Sequence, residues 1–257
     1  MSQPPQHRDG VEFLQPGRLR LVEAPAPRPS PQERAAMDQV WEEAVRANPC
    51  LFDGPVAACA GLDRDGPHDL VIAWARTTYR LLALRRVPGA TALLPSLFVS
   101  VLQPSEDRRV LVGRMSPATS FPGRWQLPGG TVEPPPAGDR LDAAALTRHA
   151  ARELAEETGV QLAPQELRLW LVTRGDHGNV GVLFLAPPRP ESLLRERHAA
   201  AVSAEQGAGA RPGTRRDRPG RRPGRAAGPR RPPRGLPGAG APPVRGRADR
   251  PLTQPSR

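Results

Sequence analysis

Arg152-Glu153-Leu154-Ala155-Glu156-Glu157-Thr158-Gly159-Val160 is the stretch that decides how this chain folds. On a helix, Glu153, Glu156 and Glu157 fall at i, i+3 and i+4 and share one face. Three like charges repel there and weaken a bare helix. A hard divalent cation would relieve that repulsion, since Mg2+ takes oxygen ligands and commonly bridges a few carboxylates to a substrate phosphate. A solvated acidic face on a surface helix is the plain alternative, and for acidic clusters in general it is the commoner one. Arg152 stands beside the cluster and can hold one carboxylate by a bidentate contact. Gly159 supplies the left-handed residue that commonly stops a helix.

Working outward, a long helix is expected from about Asp139 or Asp142 to Thr158. Upstream of it lie two strands, LFVSVLQ (97–103) and VLVGR (110–114), joined by a PSEDRR turn. The extended piece SFPGRWQLPGG (120–130) follows, ending in the pair Gly129 and Gly130, which would let a backbone carbonyl approach the same ion. Downstream, LRLWLVT (167–173) and VGVLFLA (180–186) read as strands around an RGDHGN turn, and residues 190–206 as a last helix. Asp176, His177 and Asn179 occupy that turn. Turns favour Gly, Asp and Asn for backbone reasons alone, so His177 is an outside candidate for substrate contact. His149 reads as a helix-surface side chain and Trp125 as core, while Arg124 is a candidate for substrate phosphate.

The order strand, Pro128-Gly129-Gly130, helix, glutamate cluster, glycine stop resembles the Nudix hydrolase signature, G-x5-E-x7-R-E-U-x-E-E-x-G-U with U aliphatic. RELAEETGV matches every specified position of its second half. The first half departs, because 21 residues separate Gly130 from Arg152, eight more than the signature has. The earlier glutamate of the signature has no counterpart. Counting forward from Gly130 reaches Pro136, and counting back from Arg152 reaches Ala144. Glu133, Asp139 and Asp142 are candidates to substitute for it, though none has the right spacing.

The resemblance implies an α/β (α+β) fold, a Nudix α/β/α sandwich with a mixed sheet. It implies a Mg2+-dependent diphosphatase, with Mn2+ as the alternative ion. Glu153, Glu156 and Glu157 are then the metal ligands, with the Gly129 carbonyl as a further candidate. Arg152 orients the cluster, and Glu153 is the first choice for proton acceptor.

The N-terminal region reads as a small α+β unit over residues 18–90, behind a flexible arm, residues 1–17. GRLRLVE alternates as a half-buried strand should. Ser30, Pro31 and Glu33 fall where a capping box with proline at the first helical position requires them. Met37, Val40, Trp41, Ala44 and Val45 then form one apolar stripe, which Pro49 ends. VAACAGL (56–62) and LVIAWAR (70–76) flank a DRDGP turn as a hairpin, and TYRLLALRR reads as a short helix capped by Thr77 or Thr78. The helix with Trp41, then NPCLFDGPVAA (48–58) and TTYR (77–80), resembles the N-terminal unit of Nudix enzymes that split UDP-glucose and UDP-galactose. That likeness implies a nucleoside diphosphosugar substrate, cleaved to UMP and a sugar 1-phosphate. By resemblance alone, Phe52 and Asp53 would touch its base or sugar.

The 257 residues carry 37 basic side chains, all arginine, against 26 acids, for a net charge of +11. Residues 207–257 alone hold 14 Arg and two acids, which leaves the first 206 residues at −1. The basic character therefore belongs to a tail and does not make the folded part a nucleic-acid binder. The tail also holds 11 Pro and 10 Gly, too little apolar surface to offset chain entropy, so it is expected to be disordered. Its abrupt start is what GC-rich DNA yields when read out of frame, so an aberrant C-terminus is expected. The Nudix unit, residues 96–206, would then be incomplete at its C-terminal end. Two cysteines, Cys50 and Cys59, exclude a disulfide framework, are expected to be buried, and point to a cytoplasmic location. No stretch is apolar enough to span a membrane. Two other classes remain beside the enzyme: a Nudix-type binding module without turnover, and a polyanion-binding protein acting through the Arg-rich tail on nucleic acid.

Overall fold

Local sequence fixes where the helices start and stop. In the computed structural model, which describes residues 10–115, 123–175, 177–209 and 225–227, Ser30 Oγ accepts the N–H of Glu33 and the Glu33 carboxylate accepts the N–H of Ser30. This capping box opens helix α1 (Pro31–Ala47). Asp142 caps helix α2 (Ala143–Thr158) by accepting the N–H of Ala145 at 2.7 Å. Gly159 ends α2 at φ 72°, and a Cβ there would sit 2.4 Å from the Arg197 carbonyl oxygen. Only glycine meets both demands. Helix α3 (Glu191–Gly209) packs on α2.

The strands are β1 (Glu12–Leu14), β2 (Arg18–Glu23), β3 (Pro55–Arg64), β4 (Asp69–Thr78), β5 (Leu97–Leu102), β6 (Val112–Arg114), β7 (Trp125–Gln126), β8 (Gly129–Thr131), β9 (Arg168–Arg174), β10 (Val180–Leu185) and β11 (Arg225–Ala227). The largest sheet is mixed, in the order β1-β9-β10-β5-β8, with β10 and β5 parallel and the other pairs antiparallel. A second sheet, β2-β4-β3, pairs β2 parallel and β3 antiparallel to β4. The third is small, in the order β11-β6-β7.

The first two sheets are joined. Ala57 donates its N–H to the Val132 carbonyl and Cys59 donates to that of Pro95. One apolar core accordingly runs through both, from Leu70, Ile72 and Trp74 of β4 to Leu97, Val99 and Val101 of β5 and Leu146, Ala150 and Leu154 of α2. β5 alternates buried and half-buried positions, so its inward face meets α2, which also packs on β8. Burying a leucine such as Leu146 or Leu154 stabilises the fold by about 1.5–3 kcal/mol.

Several expectations need correcting. Residues 12–14 lie in the stretch read as a flexible arm, yet they pair antiparallel with β9 because that strand would otherwise be a bare sheet edge. The TYRLLALRR segment is a 3-10 helix, Tyr79–Arg86, with no side-chain cap from Thr78. Of the α1 stripe only Met37 is buried, packed with Leu84 and Ala92. Cys59 is buried and its thiol is pushed up mainly by that burial, but Cys50 is exposed. The last helix reaches Gly209, and β11 lies inside the expected tail. The rest of that tail, Asp176 and residues 116–122 lie outside the described residues. No helix among the described residues is long and apolar enough to cross a membrane.

Candidate active site

The glutamate face of α2 meets the end of the extended segment at β8. Gly129 donates its N–H to Glu157 Oε2 at 2.9 Å, tying the carboxylate to the loop. A Cβ at Gly129 would sit 2.1 Å from the Val99 carbonyl oxygen, so the close approach to β5 excludes every side chain. The expected contribution of Gly129 was a carbonyl toward an ion; what the structure shows at this residue is its N–H on Glu157.

The three glutamates face different surroundings. Glu153 is 4 % exposed and His149 is 6 % exposed, with His149 Nε2 at 3.3 Å from Glu153 Oε1. Glu156 is half exposed, and Arg152 Nε lies 3.9 Å from its Oε1. Arg152 Nη2 also donates to Glu133 Oε2 at 3.2 Å and meets His149 Nδ1 at 2.7 Å. With both partners solvent-exposed, the Arg152–Glu133 pair adds little stability; its consequence is a fixed guanidinium. Glu133 therefore does from the β8 end what its spacing concealed, by reaching Arg152 across the lengthened segment. Asp142 serves as helix cap.

Among the described residues, no three His, Cys, Asp or Glu side chains converge closely enough to hold an ion. The donor chemistry nonetheless suits a hard cation: three carboxylates on one stretch of α2, supplying the oxygen ligands Mg2+ takes. In the present arrangement those carboxylates rest on His149, Arg152 and the Gly129 N–H.

Thus Arg152, Glu153, Glu156, Glu157 and Gly129 are brought together. The other candidates stand elsewhere. Asp53 Oδ1 accepts the Arg80 N–H at 2.8 Å, steadying the 3-10 helix, and its neighbour Phe52 is 41 % exposed. His177 is an exposed residue of the β9–β10 turn, whose Asn179 accepts the Ser96 N–H and hydroxyl. Arg124 is exposed and its carbonyl accepts the Met115 N–H. Trp125, expected in the core, is 51 % exposed; β7 is two residues long and, among the described residues, pairs with β6 alone. His149 is the residue that sequence reasoning undervalued. Its only signal was its spacing, three residues before Arg152 and four before Glu153, the distances at which helical side chains meet.

Residues 95–207 match the family model of the NUDIX domain. No curated protein matches this chain. Among solved structures, a MutT/nudix family protein from Enterococcus faecalis is 26% identical, with 37% of this chain and 38% of that one covered at a TM-score of 0.28. A NUDIX hydrolase from Nitrosomonas europaea is 19% identical over 49% of this chain and 60% of its own, at a TM-score of 0.27. The chain thus spans less than two thirds of the length of either protein. With overlaps this partial, the family match over 95–207 is what bears on function.

Proposed function

From the premise that residues 95–207 are a NUDIX domain, we propose that the protein hydrolyses phosphoric anhydrides. We assign it the diphosphate of a nucleoside diphosphosugar of the UDP-glucose kind, released as UMP and a sugar 1-phosphate. The observation that carries this reading is the 2.9 Å bond from the Gly129 N–H to Glu157, which locks the carboxylate face of α2 against the glycine pair. Glu153, Glu156 and Glu157 would hold Mg2+, or Mn2+ in its place. When bound, such an ion polarises a phosphoryl oxygen and offsets developing negative charge.

The chain's own groups do the rest. Arg152, anchored on Glu133, keeps Glu156 turned toward the site. Glu153 is assigned as proton acceptor, since it is the most enclosed of the three and electrostatic contacts strengthen where water is excluded. Arg124 is assigned to substrate phosphate. Phe52 and Asp53 are assigned to base or sugar on the strength of the N-terminal resemblance, and His177 remains an outside candidate.

Incubating UDP-glucose with the protein and Mg2+ and identifying products by phosphorus NMR tests the reading. UMP and glucose 1-phosphate are expected, with formation lost in Glu156→Gln and Glu157→Gln. Turnover indifferent to both substitutions contradicts the site. A second reading, a nucleotide-binding module without turnover, is favoured by Pro136 and Ala144 standing where the signature has its earlier glutamate. It predicts that UDP-glucose raises the melting temperature while no product forms.

A further inference from the structure

The lengthened segment between the glycine pair and α2 carries Pro134, Pro135 and Pro136 in a row. Proline has no N–H to give, so backbone hydrogen bonds can tie such a run only through its carbonyls, to donors that other elements supply. One donor comes from the N-terminal unit. Arg76, near the end of β4, donates Nη1–H to the Pro135 carbonyl at 2.7 Å, 59 residues further on. Its guanidinium stands over the buried Trp74 ring, 5.7 Å from the centroid, with Nε 3.6 Å from Glu23 Oε1. On the other side, Val132 donates its N–H to the Leu97 carbonyl of β5 and accepts the Ala57 N–H of β3. Glu133 lies between these two anchors, and Pro134 after it confines its backbone to extended conformations. Its carboxylate accepts from Arg152 Nη2 at 3.2 Å, and Arg152 Nε lies 3.9 Å from Glu156 Oε1.

We infer that Arg76 is a positioning residue for the α2 site, supplied by the N-terminal unit: its bond to Pro135 keeps Glu133 within reach of Arg152, and so keeps that guanidinium directed along the carboxylate face. This rests on the ion site assigned in the proposed function. It gives the N-terminal sheet a part in the reaction without any contact to substrate. A side chain placed this far back sets orientation, so its loss shows in ion affinity and kcat while KM stays nearly constant.

Arg76→Met keeps an unbranched stem over Trp74 but has no donor, whereas Arg76→Lys keeps one. Hydrogen exchange read by mass spectrometry across residues 131–141, with neither ion nor substrate present, reports on the clamp itself. Mn2+ binding followed by electron paramagnetic resonance, and kcat and KM with UDP-glucose, report on its consequence. In the methionine variant residues 131–141 should exchange faster while α2 exchanges as in the parent. Its Mn2+ affinity and kcat should each fall about 3–10-fold, less than the roughly 10–100-fold typical of a ligand's direct partner, with KM within about twofold. Lysine should recover most of both losses. Glu133→Ala, at an exposed position, should reproduce them, and the double variant should be no worse than Glu133→Ala alone, because the two residues act in series. A methionine variant equal to the parent in exchange, Mn2+ affinity and kcat overturns the inference, as does a double variant that loses the sum of the two. Should the methionine variant fail to fold, Glu133→Ala decides, and parent-like Mn2+ binding and kcat there overturn it. A parent that neither binds Mn2+ nor turns over UDP-glucose contradicts the proposed function first and takes the inference with it. Unchanged exchange over 131–141 in a methionine variant of an active parent contradicts the inference alone.

Discussion

Helices α1 and α2 begin alike, each on an oxygen side chain that accepts the N–H three residues on, Ser30 for one and Asp142 for the other. Beyond the first turn they diverge. α1 buries Met37 alone and leaves Trp41 half-buried, edge-on to Tyr79 with ring centroids 6.3 Å apart. α2 buries Leu146, Ala150 and Leu154 completely and carries His149 and Glu153 inward with them. Caps are decided by neighbours in sequence, burial by what the rest of the chain brings. The polar groups of α2 gather on that side, with Arg152 Nη2 2.7 Å from His149 Nδ1 and His149 Nε2 3.3 Å from Glu153 Oε1.

The largest contrast is expected in catalysis. Glu157→Gln keeps the shape of the side chain but removes a charge from the α2 face. Activity on UDP-glucose should fall by more than the roughly 10–100-fold typical of residues behind a metal ligand. A charge removed from the outer face of α1, as in Glu42→Gln, should leave kcat unchanged. Steady-state assays of the two compare the helices directly.

Next comes packing. Leu154→Ala in α2 is expected to cost about 2–5 kcal/mol by cavity formation, whereas Val45→Ala in α1, at a half-exposed position, should stay below about 1 kcal/mol. Denaturant unfolding monitored by circular dichroism reads both, and equal losses would erase the distinction. The caps should then be nearly equivalent, with Ser30→Ala and Asp142→Ala each costing about 1 kcal/mol in the same measurement.

The smallest effect depends on pH. Glu33 accepts N–H groups from Thr91, Ser30 and Ala92, which hold its pKa down from the usual 4.5 to about 2. A folded value below the unfolded one stabilises above about pH 4.5 and is lost as pH falls toward 2. Glu33→Gln should therefore melt below the parent at pH 7, and the gap should close with acid. A gap that widens on acidification would contradict these hydrogen bonds.

What was legible in the sequence was local. The capping box at Ser30, the stop at Gly159 and the strand at 18–23 each depend on a few adjacent residues, and each falls where the chain places it. RELAEETGV likewise put Arg152 and its three glutamates on one turn. The misses are long-range. His149 was read as surface and is buried, and Trp125 was read as core and is exposed, because composition does not reveal which face of a helix meets a sheet, or that a strand is only two residues long. β1 needed the open edge of β9, 154 residues further on from Leu14 to Arg168. Glu133 was hidden by the lengthened segment, since no fixed spacing announces an ion pair made across it.

Anomalous diffraction from crystals soaked in MnCl2 addresses the centre of the account. It predicts a manganese peak bounded by Glu153, Glu156 and Glu157 beside Gly129. Contradiction would be the absence of any peak, with Glu157 still on the Gly129 N–H and Glu156 still paired with Arg152.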